Sequence, residues 1–177
     1  MSAAPSAKTS KTPATASKSV GKAKGGKPEV IGIPISHPER IIDTASGGTK
    51  LDLAEFYASI SEFILPYLDD RPVSVLRAPD GIAGEQFFQK HAEGRDIPHI
   101  VHLDPKLDRD HDPLMAIDDA QGLVGCVQMN TIELHTWGST TKNIEAPDRF
   151  VLDLDPDPAL PWRSVIEATK LKVLTVD

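Results

Sequence analysis

The sequence predicts an α+β domain on three observations. Residues 50–68 place apolar side chains at helical spacing, as in an amphipathic helix. Residues 132–138 alternate between apolar and polar side chains, as in a strand with one buried face. Residues 150–155 form an apolar run that alternates into carboxylates and stops before Pro156, which cannot donate to a sheet ladder. The chain has 177 residues, which is enough for one domain of ordinary size.

Charge is distributed unevenly along the chain. Residues 1–28 contain six lysines and no acid, whereas all 26 acidic residues lie in residues 29–177. The formal net charge of the whole chain is −7, and residues 29–177 hold all 26 acids but only 13 of the 19 basic residues, so the domain is not an obvious binder of polyanions. Any contact with nucleic acid must therefore use local basic groups or bound metal ions.

The N-terminal residues 1–28 are predicted to be a disordered basic linker or arm, and residues 29–177 to form the domain. The first segment is too poor in apolar side chains to offset its ordering entropy by burial. It is either an arm that touches DNA or a plain connector between domains. The single cysteine, Cys126, excludes an internal disulfide and indicates a reducing compartment. We expect a cytoplasmic, nucleoid-associated protein with no membrane span.

The first elements follow from apolar spacing and capping residues. Residues 30–35 predict a short strand. Thr49 can cap the helix over 50–68, with Asp52 completing a capping box and Pro66 distorting the last turn. The aromatic side chains of this helix are predicted to lie in the core, and they are Phe56, Tyr57, Phe63 and Tyr67.

Two adjacent aromatic residues come next. Residues 71–77 predict a strand, and residues 86–91 predict a short extended piece that contains Phe87 and Phe88. Neighbouring side chains of a strand point to opposite faces. Either one ring enters the core while the other faces outward and can stack on a base, or both rings lie in the core.

The middle of the chain predicts two short strands, residues 97–101 and 114–117, on either side of a polar loop over 103–113. Asp118 or Asp119 is expected to cap a helix that runs through residue 129.

The last part of the chain carries a histidine and a final helix. His135 lies on the strand over 132–138, on the same face as Glu133 and shortly before the carboxylate run. Pro161 suits the first position of a final helix that runs to residue 174 or so. The predicted inner face of this helix consists of Trp162, Val165, Ile166 and Thr169.

The carboxylate run offers a candidate metal site. In a strand over 150–155, Asp153 and Asp155 share one face, roughly 6.5–7 Å apart at the backbone, and can converge on one or two divalent cations. Oxygen ligands suit Mg²⁺ or Mn²⁺. The motif alone fits a two-metal polymerase, a metal-dependent glycosyltransferase or a haloacid-dehalogenase-like phosphatase. Asp157 stands where the phosphatase usually has Thr or Val, which counts against that class.

Five sequence blocks occur in order along the chain, and they are Ser36-His37-Pro38-Glu39-Arg40, Arg71-Pro72-Val73-Ser74, Gly84-Glu85-Gln86-Phe87-Phe88-Gln89-Lys90-His91, Glu133-Leu134-His135-Thr136-Trp137-Gly138 and Asp148-Arg149-Phe150-Val151-Leu152-Asp153-Leu154-Asp155-Pro156. Through these blocks, residues of roughly 36–170 resemble the polymerase domain of bacterial non-homologous end-joining DNA ligase D, which belongs to the archaeo-eukaryotic primase superfamily. The similarity favours nucleotidyl transfer among the three chemistries and implies a primase-like α+β fold.

The resemblance implies a role for each matching residue. Asp153 and Asp155 look like the first two ligands of a two-metal Mn²⁺ or Mg²⁺ site. Phe87, Phe88 and His135 look like contacts to the incoming nucleotide and the template. The 5′-phosphate of the downstream strand is expected to be held by Lys50 and Arg40.

The resemblance also implies partners and a limit. It implies gap filling with NTPs or dNTPs at DNA ends with a 5′-phosphate, together with the Ku homodimer and the ligase and nuclease modules of a longer polypeptide. The family's glycine-rich Ser-Gly-Gly-Lys-Gly-x-His motif and its third metal-binding aspartate do not occur in these residues, so we expect a domain incomplete at its C-terminus. Impaired catalysis is then expected, and the alternatives are a non-catalytic fragment that binds DNA ends and an inert remnant.

Overall fold

The computed structural model describes residues 26–93, 97–151 and 154–173, with side chains up to residue 170. The helices within these ranges are α1 (Lys50–Leu68), α2 (Ala120–Gln128), α3 (Trp162–Val173) and a 3₁₀ helix, η1 (Pro105–Leu107). The strands are β1 (Glu29–Val30), β2 (Ile33–Pro34), β3 (Ile41–Asp43), β4 (Gly48–Thr49), β5 (Val73–Arg77), β6 (Phe87–Gln89), β7 (Val101–His102), β8 (Met115–Ala116) and β9 (Thr131–Thr136). The mixture of helices and antiparallel strands confirms the α+β prediction.

Strand β5 is the centre of an antiparallel sheet that has five strands among the described residues. It pairs with β9 along one edge. Along its other edge it pairs with β6 near its C-terminal end and with β8 at its N-terminal end, and β7 pairs with β8. The hairpins β1–β2 and β3–β4 lie outside this sheet.

The core lies on one face of the sheet, beneath α1 and α2. Val73 and Val75 of β5 belong to the same buried cluster as Ala54 of α1 and Val124 of α2. The Tyr57 hydroxyl of α1 donates to the Ile132 carbonyl of β9 at 3.3 Å. Burial of this continuous apolar surface is the main favourable term in folding. On the opposite face of the sheet, which we call the open face, Phe88, Glu133 and His135 are exposed around the buried Ser74 and Leu76.

The start of α1 confirms the predicted capping box. The Thr49 hydroxyl accepts from the Asp52 backbone N–H, and the Asp52 carboxylate accepts in turn from the Thr49 backbone N–H at 2.9 Å. Asp119 rather than Asp118 caps α2, and its carboxylate accepts from the Gly122 N–H at 2.6 Å. Both caps satisfy backbone donors that the first turn of a helix leaves unpaired.

Three of the four aromatic side chains of α1 do not lie in the core, which corrects the prediction. Tyr57 is buried, but Phe56, Phe63 and Tyr67 are 53, 74 and 65 % exposed. The buried stripe of α1 instead includes the small residues Ala54 and Ala58. Small side chains let α1 approach α2 closely, and the bulky aromatic rings point away from that contact.

The predicted strand over 97–101 is a turn followed by the short strand β7. The Ile100 N–H donates to the Ile97 carbonyl at 3.2 Å, and His99 has a φ of 60°. The reason lies in α2, since a Cβ added at Gly125 would come 1.9 Å from the Pro98 carbonyl oxygen. The backbone of α2 therefore packs directly against this turn.

The strand predicted over 150–155 is absent from its described residues. Phe150 and Val151 are 70 and 88 % exposed, Leu154 is also exposed, and none of them pairs with a strand. A strand needs a paired neighbour for its hydrogen bonds, and Phe150, Val151 and Leu154 belong to none of the ladders among the described residues. Leu152 and Asp153 lie outside the described residues.

Helix α3 forms, but the predicted inner face is wrong. Trp162, Ile166 and Thr169 are exposed, and only Val165 is half-buried. No helix among the described residues combines the length and the apolar character needed to cross a bilayer.

Candidate functional site

The register of the sheet gathers polar and aromatic side chains on its open face. Leu76 of β5 pairs with Phe88 of β6 on one side and with Glu133 of β9 on the other. Ser74 pairs with His135 two residues along. Paired residues and residues two apart share a face. The open face thus presents Phe88, Glu133 and His135, while Val75 points into the core.

Phe88 and His135 come into direct contact on this face. Their ring centroids are 5.0 Å apart in an edge-to-face arrangement. His135 Nε2 lies 2.8 Å from Glu133 Oε2, so the carboxylate orients the imidazole ring. Phe88 is 56 % exposed. An exposed ring beside an oriented imidazole can stack on a base and bond to a ligand at the same time.

A groove runs along β6 beside this pair. It has a volume of about 300 Å³, and Arg77, Phe87, Phe88 and His91 contribute to its wall. The Arg77 guanidinium lies 5.2 Å from the centroid of the Phe87 ring, in a cation–π contact. Phe87 and Phe88 are both exposed, so both predictions that placed a ring of this pair in the core are wrong. Strand β6 lies at the edge of the sheet next to β5, where neither ring has a covering layer.

Lys50 and Arg40 lie together at the start of α1. The Arg40 backbone carbonyl accepts from the Lys50 N–H at 2.8 Å. Lys50 Nζ donates to the Gln128 carbonyl at 2.7 Å and lies 3.5 Å from Ser36 Oγ. The Arg40 guanidinium donates to the Pro79 carbonyl at 2.6 Å. The structure therefore brings together the two residues that the resemblance pairs.

The Lys50 ammonium is a buried charge held by neutral acceptors. The residue is 2 % exposed, and no described carboxylate forms an ion pair with it or with Arg40. Burial, and to a smaller extent the positive charge of Arg40, lowers the pKa of Lys50 to about 8. Buried charges are normally paired. Among the described residues, this ammonium therefore has hydrogen-bond acceptors but no counter-charge.

The guanidinium group of Arg71 holds the segment that leads to Asp153 and Asp155. Arg71 donates to both oxygens of Asp148, at 2.8 and 2.7 Å, and to the Gly138 carbonyl at 2.9 Å. The bidentate ion pair lowers the pKa of Asp148. A Cβ at residue 138 would lie 2.4 Å from the Arg149 carbonyl oxygen, so glycine is required there. These contacts fix the chain as far as Arg149, which donates to the Tyr67 carbonyl at 2.7 Å.

The two predicted metal ligands lie beyond this anchored segment. Asp155 is exposed, so its carboxylate oxygens are accessible to a cation. Asp153 lies outside the described residues. The structure thus brings Phe88 to His135 and Lys50 to Arg40, with Phe87 beside Phe88, whereas Asp155 makes no described contact with any of them.

Sequence reasoning missed several residues that shape these pockets. Gln128 and Asn130, at the end of α2, complete the surroundings of Lys50 and Arg40. Asp108 and His111 form a cluster with His91 that only the folding of the 103–113 loop brings together. The spacing of Asp108 and His111 was the one available signal, because residues three apart can face the same ligand.

The fold matches an α+β domain of the primase-polymerase type. Residues 49–175 match the family described as the LigD primase-polymerase domain, and the chain belongs to this family.

The relatives support the same assignment. The chain is 56 % identical to the multifunctional non-homologous end joining protein LigD of Pseudomonas aeruginosa over 146 residues, which is 82 % of this chain and 17 % of that protein. It is 32 % identical over 118 residues to the bifunctional LigD of Bacillus subtilis, covering 67 % of this chain and 18 % of that protein. The chain thus spans less than a fifth of the length of these relatives.

A solved structure is also similar. It is the polymerase domain of Mycobacterium tuberculosis ligase D in complex with DNA, with a TM-score of 0.52 and 25 % sequence identity. The match covers 59 % of this chain and 36 % of that one.

Proposed function

We propose that this chain carries out metal-dependent nucleotidyl transfer at DNA double-strand breaks, as part of bacterial end joining. The observation that carries the proposal is the contact between Phe88 and His135 on the open face of the sheet, 5.0 Å between ring centroids. A stacking ring suits any base, and an imidazole fixed by Glu133 suits a bond to the incoming nucleotide. The DNA-bound relative and the family match support this assignment.

The metal ions of the reaction would be held by Asp153 and Asp155. The exposed carboxylate of Asp155 fits Mg²⁺ or Mn²⁺, because both prefer oxygen ligands. Such ions lower the free energy of the charge that develops when a 3′-hydroxyl attacks the α-phosphate of an NTP or dNTP. The third metal-binding aspartate that the resemblance implies does not occur in these 177 residues.

The Arg71 fork supports this assignment by its position. It anchors Asp148 only a few residues before Asp153. Displacements of about 1 Å can lower catalysis by about 100-fold. The anchored segment would thus restrict where the two carboxylates can lie relative to the sheet face.

A second candidate function is non-catalytic binding of a DNA end, and the Lys50 pocket favours it. A terminal 5′-phosphate would supply the anion that the buried ammonium and Arg40 lack. This function needs neither Asp153 nor Asp155. The Ku homodimer and the ligase and nuclease modules are the partners proposed for either function, with the protein in the cytoplasm near the nucleoid.

Primer extension tests the first function. The substrate is a gapped duplex with a 5′-phosphate downstream of the gap, supplied with Mn²⁺ and either NTPs or dNTPs. We expect the wild type to add nucleotides at a reduced rate, because the third metal-binding aspartate implied by the resemblance is missing from these residues, and the Asp153→Ala/Asp155→Ala variant to add none. Incorporation by the wild type that does not exceed that of the variant would overturn the assignment.

End binding is tested separately by fluorescence anisotropy without NTP. Under the second function, removal of the 5′-phosphate should weaken binding of the wild type by about tenfold or more, as loss of a charged hydrogen-bonded contact does. Lys50→Met should abolish this discrimination, whereas Lys106→Met, at an exposed position, should retain it. Equal affinity of the wild type for both ends would exclude the pocket as a phosphate site.

A further inference from the structure

Three possible metal ligands meet outside the open sheet face. His91 Nε2 lies 2.9 Å from Asp108 Oδ2, and His111 Nδ1 lies 2.8 Å from Asp108 Oδ1. The two imidazole rings stack with centroids 4.9 Å apart and an interplanar angle of 15°. One ligand atom from each residue lies within 4.8 Å of the other two.

Two separate segments build this cluster. His91 follows β6 and pairs with Leu114 in an isolated bridge. Asp108 ends the 3₁₀ helix η1, and His111 comes one turn later in the polar loop. The Ala92 N–H donates to the Pro113 carbonyl at 2.9 Å, which holds the end of that loop against the chain after β6. The cluster therefore connects the middle of the loop to the strand that carries Phe87 and Phe88.

Two imidazoles and one carboxylate form a donor set typical of zinc and related ions. Imidazole nitrogen suits Zn²⁺ and Co²⁺, whereas Mg²⁺ prefers oxygen ligands. At zinc–ligand distances of about 2.0–2.1 Å, the donors of a tetrahedral site lie roughly 3.3 Å apart. The two contacts of Asp108, one through each carboxylate oxygen, are already close to that spacing. The set of ligand atoms, which lie within 4.8 Å of one another, contracts around a bound ion. The one thiol, Cys126, is buried and cannot compete for the ion.

A second carboxylate lies behind the cluster. Glu93 Oε1 is 3.8 Å from His91 Nδ1, on the opposite side of the ring from Asp108. Histidines that bind metals through one nitrogen commonly donate the other N–H to a carboxylate, which fixes the tautomer and the ring orientation. The side chain of His91 is 12 % exposed and that of His111 is 57 % exposed, so an ion can enter from the His111 side.

We propose that His91, Asp108 and His111 form a binding site for one divalent transition-metal ion of the Zn²⁺ type, distinct from the Asp153 and Asp155 carboxylates. Water occupies the remaining coordination position. Glu93 orients His91 once the 3.8 Å gap between Oε1 and Nδ1 closes to hydrogen-bonding distance on metal binding. The ion fastens the 103–113 loop to the end of β6, next to the groove that contains Phe87 and Phe88. Without the ion, Asp108 is shared by the two histidines in hydrogen bonds.

The test is a direct measurement of zinc binding. The full chain carries Asp153→Asn and Asp155→Asn, so that the other candidate metal site cannot contribute. Competition with a chromogenic zinc chelator gives affinity and stoichiometry. We expect one equivalent of Zn²⁺, and millimolar Mg²⁺ should not displace it.

Variants of the cluster identify the ligands. Replacing a residue that only orients a metal ligand weakens metal binding by roughly 10–100-fold. In the same background, His91→Gln, Asp108→Asn and His111→Gln should each weaken zinc binding by more than that. Glu93→Gln should fall within that range. The matched control is Asp112→Asn, an exposed acid of the same loop, which should bind zinc as its parent does. His111 is exposed, so His111→Gln remains informative if replacement of the less exposed His91 disturbs folding.

Cobalt provides a second readout. Co²⁺ in this site should show visible d–d absorption with one equivalent bound, and Zn²⁺ should displace it. Zinc binding in His91→Gln/His111→Gln that equals that of the parent would overturn the proposal. The same holds for a parent protein that binds no Zn²⁺ and shows no cobalt band, which would leave the cluster as a hydrogen-bonded loop anchor.

Discussion

Lys50 should cost stability at neutral pH, because its ammonium is buried without an anion. Its pKa falls from 10.5 to about 8. At about 1.4 kcal/mol per pKa unit, the charged form is disfavoured in the folded state by about 3 kcal/mol. Replacing it with Met removes this cost but leaves the Gln128 carbonyl without its donor, at a loss of about 1 kcal/mol. Lys50→Met should therefore raise the free energy of unfolding at pH 7 by about 2 kcal/mol.

The sign of the pH dependence follows from linkage. A lysine whose pKa is lower in the folded state binds more protons when unfolded, between pH 8 and 10.5. The cost is therefore fully present below about pH 8 and disappears as the pH rises to 10.5. The stability advantage of Lys50→Met over the wild type should shrink by about 3 kcal/mol across this window and reverse at its upper end.

Urea denaturation at a series of pH values measures this difference. Subtracting the free energies of unfolding of the two proteins at each pH cancels the contribution of all other titrating groups. Lys106→Met, at an exposed position, serves as the control and should differ from the wild type by less than about 0.5 kcal/mol at every pH. A Lys50→Met variant that is less stable than the wild type at pH 7 would refute the reasoning, as would a difference that does not change between pH 8 and 10.5.

Three further predictions concern the exposed rings and the anchored segment. Phe88→Ala should weaken nucleotide binding by about 1–3 kcal/mol in a titration with NTP, yet leave the melting temperature nearly unchanged, because the ring is 56 % exposed. Gly138→Ala should lower the free energy of unfolding in urea by about 1–3 kcal/mol, since its Cβ would lie 2.4 Å from the Arg149 carbonyl oxygen; an unchanged value would mean that this approach is not tight. Phe63→Ser should change stability by less than about 0.5 kcal/mol in thermal melts, and a large loss would place that ring in the core after all.

Local signals in the sequence were sufficient where the two interacting residues lie close together along the chain. Thr49 and Asp52 are three residues apart, so a capping box can be predicted without knowledge of the fold, and the structure contains it. The alternation in β9 predicted correctly that Leu134 and His135 point to different faces. Ser74 and His135 are neighbours only through the register of β5 and β9, so their pairing required the structure.

Predictions of burial failed where the partner surface was not fixed by sequence. An apolar pattern reports that a segment can be buried, but not what covers it. Phe63 of α1, Phe150 before the carboxylates and Trp162 of α3 all satisfy such patterns, and all are exposed in the described structure. The small side chains of Ala54 and Ala58 are on the face of α1 that is buried against α2. Helix spacing alone could not choose between that face and the aromatic one.

Under the proposed function, the charge distribution explains how an acidic chain can prefer a DNA end to a continuous duplex. A formal charge of −7 opposes approach along the side of a duplex, where many phosphates act together. Lys50 is 2 % exposed and Arg40 is half-buried, and no described carboxylate forms an ion pair with either of them. An anion that binds such cations away from water interacts with them more strongly than a phosphate that meets cations at the protein surface. A terminal phosphate projects beyond the duplex and can enter the pocket, whereas an internal phosphate is tied to the strand on both sides. Under this proposal, the loss of stability predicted for Lys50 accompanies the selectivity for a terminal phosphate, as in other trade-offs between stability and function.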